Sequence, residues 1–128
     1  MSPVLVDTSV FIETERRNLQ ALERLDDLMD TSGVAVSVVT VVELLASPTL
    51  PAHRKRFYSS FLAGEVAVLP VSAVAAFAGA GAAQETGGGM PADILIAGTA
   101  LEHGLKVLTA DAGLARLLGP DAELLRAS

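Results

Sequence analysis

No cysteine occurs among the 128 residues. Its absence removes disulfides, thiolate metal sites and cysteine nucleophiles together, and it suits a reducing compartment. Long apolar runs are missing as well. The longest, residues 71–83, is too short to span a bilayer and is interrupted by Gly79 and Gly81. The opening Met1-Ser2-Pro3-Val4-Leu5-Val6-Asp7 has no basic segment followed by a long apolar stretch. Neither a signal peptide nor a membrane span is therefore expected, and a cytoplasmic location is. Positive charge is scarce: nine Lys and Arg stand against fifteen Asp and Glu, for a formal net charge of −6. This argues against nucleic-acid binding through a bulk positive field. A nuclease stays open, because bound divalent cations reverse the local sign of the acids that hold them. Repeats, linkers and low-complexity tails are also lacking. The run Gly87-Gly88-Gly89 marks a loop; it lacks the Gly-Lys-Ser/Thr of a phosphate loop and follows no predicted strand.

Hydrophobic residues make up 51% of the chain, enough for one buried core, so a single domain over 1–128 is expected. Four short, mostly β-branched runs read as strands: Val4–Val6, 34–38, 66–69 and 106–108, with Leu124-Leu125 as a weaker fifth. They do not alternate polar with apolar residues, as expected of strands buried on both faces of a parallel sheet. Between them lie helical patterns. Leu19, Leu22, Leu25, Leu28 and Met29 form one stripe over residues 18–30, and further helices are predicted over 52–62, 72–85 and Pro91–His103, the last closed by Gly104. Strands alternating with helices give an α/β three-layer sandwich, with a mainly parallel sheet of four to five strands.

In such a sheet, ligands gather at the carboxyl ends of the strands. Asp7 ends the first run, Glu43 sits one turn into the helix after the second, and Asp111 follows the fourth in Leu108-Thr109-Ala110-Asp111. Asp93 lies in the first turn of the preceding helix and joins them only if that helix starts at the same edge. Each acid alone has a capping explanation. Asp7 and Asp111 suit helix N-caps, Thr40-Val41-Val42-Glu43 matches a capping box, and Asp93 suits the positive end of its helix. Jointly they read differently. Asp7, Glu43 and Asp93 stand in strongly apolar surroundings, and partly buried carboxylates repel one another unless a cation or proton intervenes. Clustered oxygen ligands without cysteine suit Mg²⁺ or Mn²⁺ better than zinc. His53 and His103 fit a His-based metal site poorly: one opens a basic run and the other ends a helix. That run, His53-Arg54-Lys55-Arg56, reads either as a solvated helix face or as a phosphate rail for RNA formed by Arg54, Lys55 and Arg56, with Tyr58 stacking a base. Arg16 and Arg17 offer a second, weaker patch.

Taken in order, Val6-Asp7-Thr8-Ser9, Thr40-Val41-Val42-Glu43-Leu44, Asp93-Ile94-Leu95-Ile96-Ala97 and Leu108-Thr109-Ala110-Asp111 resemble the four motifs of PIN-domain VapC toxins. The stretch from Met90 to Ala100 resembles the family's acid-plus-helix signature almost throughout. The resemblance implies a parallel sheet with the acids converging at its carboxyl edge, and Mg²⁺- or Mn²⁺-dependent cleavage of single-stranded or looped RNA. It also implies homodimerisation and inhibition by a VapB-type antitoxin. Asp7, Glu43, Asp93 and Asp111 fall on the family's acidic positions, with Ser9 and Thr109 on polar positions beside them and Thr40 at the start of the second motif's helix. On this reading Asp7, Glu43 and Asp93 form the main metal cage, Asp111 holds a second ion or orients water, and the products are a 5′-phosphate and a 3′-hydroxyl. Two departures stand out. The aromatic residue that often follows the fourth acid is replaced by Ala112-Gly113-Leu114, and Arg116 stands where some members have another acid or Asn. Two competing readings are a Mg²⁺-binding phosphoryl-transfer or receiver-like protein and a non-catalytic RNA- or protein-binding module. The first lacks paired acids near the start; retention of all four acids speaks against the second.

Overall fold

A computed structural model describes residues 2–126. Five strands, β1 (Val4–Val6), β2 (Val34–Ser37), β3 (Ala67–Leu69), β4 (Val107–Thr109) and β5 (Ala122–Leu124), form one parallel sheet in the order β3-β2-β1-β4-β5. Among the described residues seven α-helices connect them: α1 (Thr8–Glu15), α2 (Leu19–Asp30), α3 (Val38–Leu45), α4 (Ala52–Gly64), α5 (Ala73–Thr86), α6 (Pro91–His103) and α7 (Ala112–Leu118). The period of two along each strand divides the core into two layers. Val6, Val34, Val36 and Leu108 face α1, α2, α3 and α4, whereas Leu5, Ala35 and Val107 face α5, α6 and α7. This is the expected three-layer α/β sandwich, with all five strands parallel.

The differences from expectation lie at element ends and at the sheet edge. Val38 starts α3 rather than ending β2, because the Ser37 hydroxyl caps the helix by accepting from the Val39 amide at 3.1 Å. Strand β4 is shifted by one residue, from 106–108 to Val107–Thr109, and β5 begins at Ala122 and ends before the buried Leu125. Strand β3 is apolar yet exposed over Ala67 and Val68. It is an edge strand, so its composition reported membership of the sheet rather than burial on both faces.

Helices α5 and α6 cross in near backbone contact. A Cβ on Gly98 would lie 1.8 Å from the Ala75 carbonyl oxygen, and one on Gly79 would lie 2.1 Å from that of Ile94. The crossing anchors α6, whose first turn carries Asp93 and whose end is closed by Gly104 at φ 64°. No helix among the described residues is long and apolar enough to cross a membrane.

Candidate functional site

Three of the four acids emerge where strands stop. The Asp7 amide donates to the Leu108 carbonyl at 3.0 Å, so the backbone of this residue is fixed between β1 and β4. The residue as a whole is only 3% exposed. Asp7 occupies the N-cap position of α1, but its side chain makes no capping bond. Its Oδ2 instead accepts from Ser9 Oγ at 2.7 Å and from Thr109 Oγ1 at 2.8 Å. The same two hydroxyls accept from the amides of Ala110 and Asp111, each at 2.9 Å. Ser9 and Thr109 thereby fasten Asp7 to the segment that presents Asp111.

Asp111 does cap its helix. Oδ1 accepts from the Gly113 amide at 2.7 Å and from Leu114 at 3.4 Å. A Cβ on Gly113 would come 3.1 Å from this oxygen and 3.8 Å from Asp93 Oδ2, so the small residue keeps space beside both acids. Helix α6 does start at the carboxyl edge. Burial, and then the negative charge of Asp111, push the Asp93 carboxyl up to about 6; Asp7, a hydrogen bond with Asp111, and Glu43 add to the shift. The other three predicted acids therefore all act on Asp93.

Glu43 departs from one expectation and from the capping-box alternative. It is exposed rather than partly buried, and it takes no part in a capping box. Thr40 lies inside α3 and is fully buried, because Ser37 already caps that helix. The partner of Glu43 is Thr8, whose Oγ1 donates to Oε1 at 2.6 Å and lies 3.0 Å from Thr40 Oγ1. Sequence reasoning missed Thr8. The only local signal was its place between Asp7 and Ser9, and its meeting with α3 needs the packed fold.

The basic run divides. Arg54 Nη1 pairs with Glu15 Oε1 at 2.9 Å, and the Tyr58 hydroxyl donates to the other oxygen of Glu15. Burial, and then this bond, raise the Tyr58 hydroxyl above its ordinary value, so it remains a donor. Tyr58 is 3% exposed and meets Phe11 edge-on; it cannot stack a base. Arg54 lines a hollow of about 300 Å³ together with Thr8 and Glu43, and a second hollow of about 410 Å³ together with Arg17, His53 and Phe57. Lys55 and Arg56 are exposed and line neither. Arg16 pairs with Glu13 at 3.1 Å.

Among the described residues no three acidic or histidine side chains stand where they would hold one ion together; Asp93 and Asp111 instead flank Gly113, where a Cβ would lie 3.8 Å from Asp93 Oδ2 and 3.1 Å from Asp111 Oδ1. The donor chemistry nevertheless fits a hard divalent cation. It consists of carboxylate oxygens whose mutual repulsion a cation relieves.

Fold and site together define an α/β protein with an acidic pocket at the carboxyl edge of a parallel sheet. The chain belongs to the PIN domain family, whose pattern it matches over residues 4–119. Among solved structures it is similar to a toxin–antitoxin complex from Klebsiella pneumoniae, at 20% identity and TM-score 0.79, covering 98% of this chain and 99% of that one. VapBC-5 from Mycobacterium tuberculosis, a member of the VapBC family of toxin–antitoxin systems, matches at 29% identity and TM-score 0.67, covering 99% and 100%. FitAcB from Neisseria gonorrhoeae matches at 28% and 0.69, covering 96% of each. None of the curated proteins matches the sequence.

Proposed function

We propose that the chain is a metal-dependent ribonuclease, the toxin of a VapBC-type pair. The convergence of the acids at one sheet edge carries the reading: Asp93 and Asp111 flank Gly113, and Ser9 and Thr109 tie Asp7 to the segment that presents Asp111. Membership of the PIN family and likeness to structures described as toxin–antitoxin complexes support it. Asp7, Glu43, Asp93 and Asp111 would hold Mg²⁺ or Mn²⁺. Bound there, the cation supplies an acidified water and relieves charge on the phosphate. The protein's own part is positional. Ser9 and Thr109 hold Asp7, Thr8 holds Glu43, and the α7 amides hold one oxygen of Asp111. In the reaction a water oxygen bonds to phosphorus as the P–O3′ bond breaks, leaving a 5′-phosphate and a 3′-hydroxyl. A VapB-type antitoxin and a second copy of the chain complete the proposal as partners. Helix α5 leaves Phe77 at 80% exposure, apolar surface of the kind a partner covers.

The test is cleavage of a structured RNA pool by the purified chain in Mg²⁺, in Mn²⁺ and in EDTA, beside Asp7→Asn. Metal-dependent cuts absent from the variant support the reading. A 2′,3′-cyclic phosphate product, or equal cutting by Asp7→Asn, overturns it.

A further inference from the structure

In a chain with nine Lys and Arg, the approach to the acidic pocket is where a polyanion most needs a cation. The fold brings Arg17, from the turn after α1, together with His53 and Arg54 of α4 at the hollow of about 410 Å³. Phe57 lines the same hollow. This residue is 60% exposed, and its ring stacks on that of Phe61, with centroids 5.8 Å apart and planes 9° from parallel. An exposed aromatic ring beside cations is the chemistry that holds a nucleotide by its base and its phosphate.

Arg54 joins this hollow to the one containing Thr8 and Glu43. Its guanidinium is fixed from the core outward: Phe11 backs Tyr58, Tyr58 holds Glu15, and Glu15 takes Nη1. Arginine has further donors beyond that nitrogen. Arg17 is the one non-glycine residue with positive φ among the described residues, at 62°. It closes α1, with its own amide donating to Thr14 O at 3.1 Å and the Asn18 amide to Glu13 O at 3.0 Å. Glycine fits that position without strain, yet the sequence places a cation there.

We infer that this hollow is a subsite for one nucleotide of single-stranded RNA flanking the cut, with its phosphate on Arg54 and Arg17 and its base on Phe57. The inference rests on the ribonuclease reading. The competing account is a set of ordinary surface charges, in which the Arg54–Glu15 pair contributes little to anything.

The experiment measures binding of a fluorescein-labelled, randomised single-stranded RNA to the full chain in EDTA across a salt series, with melting curves for every protein. Arg17→Gly is the informative variant, since it removes the charge and relieves the backbone. It should melt at or above wild type while binding about fivefold more weakly, with the slope of log K against log salt reduced by about 0.7. Phe57→Ala should weaken binding about tenfold at an unchanged salt slope, because it removes a stacking surface and no charge. Lys55→Ala, outside the hollows, should weaken it less than either. If the wild-type chain binds and cuts RNA while Arg17→Gly and Phe57→Ala bind as wild type does, the subsite is wrong and the ribonuclease stands. If these variants bind RNA normally but lose a protein partner, the hollow belongs to that partner and the inference fails. If the wild-type chain neither binds nor cuts RNA, the ribonuclease reading falls and the subsite with it.

Discussion

At Asp93, partial burial and the charges of Asp111, Asp7 and Glu43 act on one carboxyl and raise it to about 6. The folded value lies above the ordinary 3.8. In metal-free protein the group therefore contributes stability below about pH 4, and that contribution is lost as pH rises through about 6. Asp93→Asn removes the repulsion without removing the side chain's bulk. In EDTA near neutral pH the variant should melt about 2–5 °C above wild type, a gain of roughly 1 kcal/mol after allowance for solvent screening. The gap should close on acidification, and RNA cutting should be lost. A variant that melts like wild type at every pH would mean that the acids do not repel one another. The neighbouring hydroxyls are a different case. Ser9 and Thr109 were legible as polar positions beside an acid, but their joint hold on one oxygen of Asp7 depends on β1 lying beside β4.

Helix α6 shows how much of an element can be read locally. Pro91 at its first turn and Gly104 beyond its end mark its bounds in the sequence, and both bounds hold. The role of its glycine does not appear there. Gly79 read as an interruption of an apolar run and Gly98 had no reading of its own, whereas each admits the backbone of the opposing helix. Gly98→Ala would drive a methyl group into the Ala75 carbonyl, with a cost of about 3 kcal/mol. The melting temperature should fall by about 10 °C, and cutting should fall with it because Asp93 rides on the same helix. An unchanged melt would show that α5 and α6 separate easily. Helix α3 makes the opposite point. Its local capping signal at Thr40 and Glu43 was overridden by Ser37 three residues earlier, and Glu43 turned to Thr8 on another helix.

For the whole molecule, the proposed metal binding would be linked to folding, because the ordered site exists only in the folded chain. Mg²⁺ at about a hundred times its dissociation constant should stabilise the protein by about 2.7 kcal/mol, seen as a higher melting temperature that Asp7→Asn abolishes. No shift in either protein would remove the metal from the proposed function. Association is a second property at this scale. If a second copy covers α5, sedimentation should give a dimer that Phe77→Glu converts to monomer without lowering the melt, since Phe77 is exposed.

The order of strands and helices followed from the sequence, because residue preference and apolar period act over a few neighbours. So did the presence of acids at strand ends, where chain leaves the sheet. What the sequence could not carry is which distant residues meet. Asp7 touches Thr109, about a hundred positions away, only because β4 pairs with β1. Asp93 joins the pocket because the glycine-lined crossing of α5 and α6 sets where its helix begins. Arg17 and Arg54 share a hollow because α1 and α4 pack through Phe11 and Tyr58. Those meetings were decided by sheet order and core packing, which only the folded chain supplies.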